Sequence, residues 1–139
     1  MPGSQNKAEI YLTDRFGVSR EVNLEKINGD YWLTSTEKTG LETETRGIRA
    51  VRDMDIGLKP TTYLLQVLQN EITRNTVEIS EEELFSLEEG EMIERELESK
   101  GYVALKFRDR VIGCGFYMDG LVSSRIPEGR FRELVDFIQ

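Results

Sequence analysis

The chain has 139 residues, 18 Lys and Arg against 26 Asp and Glu, a formal charge of −8, one cysteine and no histidine. The single Cys114 excludes an internal disulfide, which fits a reducing compartment. The missing histidine removes the commonest general base, the usual zinc ligand and the usual partner of a serine or cysteine nucleophile.

No apolar run approaches the ~18 residues of a membrane span, and residues 1–8 lack the apolar region of a secretion signal. A cytoplasmic protein is therefore expected. A net negative charge argues at first against nucleic acid, whose phosphates need Lys and Arg. The distribution changes that. Segment 78–98 holds ten acids and one base, whereas 99–139 holds seven bases and five acids. The acidity is confined to one stretch, and the C-terminal part is mildly basic.

In chain order, residues 7–28 predict a short amphipathic helix before Gly17 and a second short helix or turn after Ser19. Asn28-Gly29-Asp30 is a turn signal, and Tyr31-Trp32-Leu33-Thr34 is β-prone. Residues 36–45 read as partly loop. Segment 46–52 reads as a strand, with Arg46, Ile48, Ala50 and Arg52 on one side and Gly47, Arg49 and Val51 on the other. Residues 53–57 read as a turn or loop. Pro60 suits the first turn of a helix over 60–72, with Tyr63, Leu64, Val67 and Leu68 as its inward stripe.

Val77 and Ile79 form a short strand. Ser80 and Glu83 have capping-box spacing and open a helix over 81–88 with Leu84, Phe85 and Leu87 inward, closed by Gly90. From Gly101 the period becomes two. Strands are expected at 102–107, 110–117 and 121–126, with Arg108-Asp109 and Asp119-Gly120 as tight turns, the latter of type I′. Pro127 precedes a helix over 128–138 whose Phe131, Leu134, Val135 and Ile138 face inward.

Two basic sets stand out. Lys106, Arg108, Arg110, Arg125, Arg130 and Arg132 form a phosphate-contacting stripe, with Tyr117 available to stack on a base, or else solvated strand edges protected from pairing. Arg46, Arg49, Arg52, Lys59, Thr61 and Thr62 gather near a helix N-terminus, which can receive a phosphate oxygen. Plain capping, with arginines paired to Asp53, Asp55 or Glu44, explains the same residue types better. Gly113-Cys114-Gly115 opens no helix, so it is not a phosphate loop. Cys114 lacks an activating base and reads as a small buried residue.

The order of signals Gly47-Ile48-Arg49, Lys59-Pro60-Thr61-Thr62, Glu89-Gly90-Glu91, Gly101-Tyr102-Val103, Ile112-Gly113-Cys114-Gly115 and Pro127-Glu128-Gly129-Arg130 is similar to the C-terminal region of the RsmF-type branch of the Sun-family RNA 5-methylcytosine methyltransferases. The resemblance implies a PUA-like module, a small mixed β-barrel that binds RNA, in a short archaeal-type protein without the methyltransferase domain. Consistently, there is no Gly-rich S-adenosylmethionine loop and no pair of catalytic cysteines. Glu128 stands where the family often has Lys, and Ser123-Ser124-Arg125 where Lys and Asn are common, which weakens two basic contacts.

The expectation is an α+β protein, with an N-terminal α/β element in 1–95 packed on a PUA-like barrel in 96–139. Its expected function is non-catalytic binding of structured ribosomal or transfer RNA, tied to RNA methylation or ribosome biogenesis. Contacts are placed on Lys59, Lys106, Arg108, Arg110, Tyr117, Arg125, Arg130 and Arg132. No catalytic residue, cofactor, metal or membrane is expected. A separate methyltransferase or ribosomal protein is the expected companion. The alternative is a protein-interaction module that docks a basic partner through 78–98.

Overall fold

Asn6 opens the first helix, α1 (Lys7–Phe16), because its side chain accepts from the Glu9 amide while the Glu9 carboxylate accepts from the Asn6 amide. The same two side chains reach further: Glu9 Oε2 accepts from the Leu24 amide at 2.8 Å and Asn6 Nδ2 donates to the Leu24 carbonyl at 2.9 Å. One capping box thus caps the helix and also ties it to a strand. Ala8, Leu12 and Phe16, four residues apart, form the buried stripe. This computed structural model describes residues 6–18, 22–33, 48–55 and 57–138, and the Ile138 side chain is outside that description. Expectations placed on 19–21 and 34–47, Arg46 and Gly47 included, lie outside it as well.

The chain falls into two compact units, Met1–Arg74 and Asn75–Gln139. In the first, β1 (Leu24–Ile27), β2 (Asp30–Leu33), β3 (Ile48–Met54) and β4 (Gly57–Pro60) form an antiparallel sheet in chain order. The helix or turn expected after Ser19 does not reach Leu24–Ile27, which is strand β1, because Asn28 (φ 52°) and Gly29 (φ 91°) make a two-residue hairpin turn that pairs it with β2. The turn or loop expected over 53–57 is narrower than that span: Asp55 is in a turn, while β3 runs to Met54, which pairs with Gly57 at the start of β4.

The helix expected over 60–72 is corrected too. Pro60 ends β4, Thr61 is the cap, and α2 covers only Thr62–Val67. Its buried residues are Thr62, Leu64 and Leu65, followed by the buried cap residue Leu68, while Tyr63 and Val67 are about half exposed, at 55% and 49%.

The second unit holds β5 (Thr76–Glu78), α3 (Glu81–Glu88), β6 (Ile93–Glu94), β7 (Gly101–Phe107), β8 (Arg110–Met118), β9 (Leu121–Ser124) and α4 (Glu128–Ile138). Its sheet order is β5-β7-β8-β9-β6, with β5 parallel to β7 and the other pairs antiparallel. The boundary expected at 95/96 falls inside this unit, because β5 and β6 supply the two ends of the sheet. Ser80 and Glu83 complete their capping box. The β8–β9 turn has positive φ at Asp119 (53°) and Gly120 (84°), as type I′ geometry requires.

Val77, Leu84, Leu87, Val103, Leu105, Phe107, Ile112, Tyr117, Val122, Phe131 and Val135 belong to one core. Both α3 and α4 contribute to it. The protein is α+β, and no helix among the described residues is long and apolar enough to cross a membrane.

Candidate nucleic-acid interface

In a strand, neighbouring side chains point to opposite faces. In the second unit Val103, Leu105 and Phe107 enter the core, which assigns Tyr102, Ala104 and Lys106 to the other face. The type I′ turn pairs Tyr117 with Val122 and Phe116 with Ser123. Tyr117 and Val122 face the core; Phe116 and Ser123 face away from it. Tyr117 is 8% exposed, so the base-stacking role expected of it is corrected. Its neighbour Phe116 occupies the outer face in its place.

This second face is buried at Ala104 and Cys114 and carries, at Tyr102, Phe116 and Arg125, a partly exposed layered group. Tyr102 and Phe116 meet edge to face, with ring centroids 4.9 Å apart and planes at 74°. The Arg125 guanidinium carbon lies 5.3 Å from the Phe116 centroid, in the range of a cation–π contact. Arg125 Nη1 donates to Ser123 Oγ at 2.9 Å, and the Arg125 amide donates to the Cys114 carbonyl at 2.8 Å. Burial pushes the Tyr102 phenol above its ordinary value of 10.0, with the Cys114 thiol adding to the shift and Arg125 opposing it.

The other expected residues divide by position. Lys106, Arg108 and Arg110 sit at the β7–β8 hairpin, with Arg108 and Arg110 exposed and Lys106 half-buried. Arg108 lies 4.7 Å from the Phe107 centroid. Lys106 is the register partner of Glu78 on β5, so an acid stands beside it. Arg130 and Arg132 are on α4, and Arg132 Nε donates to Glu88 Oε2 at 3.0 Å. Lys59 is in β4 of the first unit, paired in register with Arg52. The helix beside Lys59 is capped from within: Thr61 Oγ1 accepts from the Leu64 amide and donates to the Arg49 carbonyl at 2.7 Å. Arg49 pairs with Asp30 at 3.3 Å, while Asp53 is taken by Lys7 and Lys26.

Cys114 is buried, as expected, and Gly115 admits close packing. A Cβ there would lie 2.9 Å from the Ser123 carbonyl oxygen and 3.0 Å from Leu105 Cδ2.

Sequence reasoning gave no role to Arg95, the one base in the acidic segment. Its Nη1 donates to Glu83 Oε2 (2.8 Å) and to the Glu94 carbonyl (2.7 Å). Its Nη2 donates to Glu83 Oε1 (2.7 Å) and to the Glu78 carbonyl (2.8 Å). One guanidinium therefore holds the main chain of β5 and of β6, the two ends of the sheet. No cluster of His, Cys, Asp or Glu among the described residues could hold a metal ion. No protein-family profile matches this chain, and no curated protein matches it.

Proposed function

We propose that the protein is a non-catalytic RNA-binding module of PUA-like character, with the contact made by the second unit. The observation that carries this is the Tyr102–Phe116–Arg125 layer on the sheet face turned away from the core. Rings and planar cations are the side chains that receive bases and phosphates. Lys106, Arg108 and Arg110 add positive charge at the β7–β8 hairpin. Structured ribosomal or transfer RNA is the ligand class. A cytoplasmic role in RNA methylation or ribosome biogenesis follows, beside a separate methyltransferase or ribosomal protein.

The test is binding of total ribosomal and transfer RNA across a salt series. Each neutralised phosphate of a single strand adds about −0.7 to the slope of log affinity against log salt. Contacts from Lys106, Arg108, Arg110 and Arg125 therefore give a slope of roughly −3. Arg108→Ala with Arg110→Ala should bring it to roughly −1.5. Absence of saturable binding at low salt would end this reading.

A second reading has one observation in its favour: Glu81, Glu82, Glu89, Glu91 and Glu94 of the acidic segment are exposed, and so is Met92 within it, at 58%. Such a surface suits a basic protein partner with an apolar anchor. Capture that survives nuclease but is lost on charge reversal at Glu81 and Glu82 would favour it over RNA.

A further inference from the structure

We infer that Arg125, layered on Phe116, is the seat of one unpaired nucleobase, so the RNA this face takes presents a single-stranded or splayed-out base. This rests on the RNA-binding reading above. Contacts within the chain hold the layer in place. The main chain of Arg125 is anchored on Cys114, its guanidinium is oriented by Ser123 Oγ, and the ring beneath it is braced edge-on by Tyr102. A base settling on such a surface immobilises little that was free, which is the main saving of a preorganised site.

Charge decides against the simpler idea that the arginines only attract phosphates. The chain carries −8 overall, and segment 78–98 of the same unit holds ten acids against one base. Long-range attraction of RNA is therefore weak, and affinity has to come from short-range contacts. Stacking on an aromatic ring is such a contact, worth roughly 5- to 150-fold per base, and an arginine adds a cation–π contribution to it. Arg125 is exposed and Phe116 and Tyr102 are half-buried, so the layer is reachable. Beside it on the same face, the cross-strand pair Met118 and Leu121 is 45% and 40% exposed, an apolar surface for a sugar or second base. Tyr102 is neutral at pH 7, so it adds no negative charge to the seat. A continuous duplex has no free base face to offer, since its bases stack on one another.

The plain alternative is that Arg125 only shields Phe116 from water. A lysine would do that nearly as well, because its methylenes cover a ring, whereas it has no plane to stack on. The experiment uses a short mixed-sequence RNA, alone and annealed to its complement, with the full chain and Arg125→Lys, Phe116→Leu and Arg108→Ala/Arg110→Ala. The single strand is expected to bind roughly tenfold more tightly than the duplex. Arg125→Lys and Phe116→Leu should each lower single-strand affinity about tenfold while leaving the salt slope unchanged. Thermal unfolding checks that each variant is folded; the amide anchor of Arg125 on Cys114 is main chain and survives the change to lysine. Equal binding of duplex and single strand, or an Arg125→Lys protein indistinguishable from the parent, overturns the nucleobase seat. If Arg108→Ala/Arg110→Ala still weakens binding in that case, RNA binding itself stands. If the parent protein binds neither form, both proposals fall.

Discussion

At Glu83 one carboxylate serves a helix and a sheet. It accepts from the Ser80 amide and, with both oxygens, from Arg95. The Arg95 hydrogen bonds are the largest cause holding its pKa below the ordinary 4.5, against an opposing push from burial, and the same pair raises that of Arg95. A depressed carboxylate contributes stability that is fully present above its ordinary value and lost as pH falls through the lower, folded-state value. Glu83→Gln is thus expected to lower stability at pH 7 by about 1 kcal/mol, high for a pair this exposed because the contact is bidentate. The difference from the parent should shrink as pH drops below 4.5, read by chemical denaturation at several pH values. Gly17 is the second sensitive residue. It caps α1 at φ 69°, and a Cβ there would run into the Thr73 hydroxyl, which donates to the Gly17 carbonyl at 2.9 Å. Gly17→Ala should cost about 1–2 kcal/mol from the left-handed backbone alone, visible as a lowered Tm.

Among the elements, the β8–β9 pair depends on Gly115, because any side chain there must force the Ser123 main chain or Leu105 aside. Gly115→Ala is expected to cost about 1–3 kcal/mol and to shift the Phe116–Ser123 register pair. That shift would appear in the NMR signals of the Tyr102 and Phe116 rings. Elements defined by their own ends were legible in the sequence. Ser80 with Glu83 marks the start of α3, Asp119-Gly120 fixes the β8–β9 register, and the segment after Pro127 gives α4 over Glu128–Ile138. Elements defined by packing were not. Pro60 and Thr61 are both plausible helix starts, and pairing of Val51 with Pro60 made the proline a strand residue. Leu65 rather than Tyr63 turned inward because the position of α2 against β3, not hydrophobicity, chose the face. The mistaken Tyr117 was avoidable. The Asp119-Gly120 turn sets Tyr117 against Val122 and Phe116 against the polar Ser123, which already says which ring faces out.

For the whole molecule, the division at 74/75 makes a direct prediction. A fragment of residues 75–139 contains its full sheet and an own core of both helices, and should fold alone with a cooperative thermal transition by circular dichroism. A fragment of 96–139 loses β5, α3 and β6, and should not. Size matters here, since domains this small have little stability to spare. The hold of Arg95 on β5 and β6 bears on how such a small sheet stays separate from its neighbours. The two strands are unlike: β5 pairs in parallel and β6 in antiparallel fashion. Once freed, the β5 side of one molecule could accept the β6 side of the next, a head-to-tail contact with no symmetry to stop it at two copies. Arg95→Met should accordingly give sedimentation profiles that grow with concentration without settling at a dimer. One guanidinium would then mark the difference between a discrete particle and an unending filament.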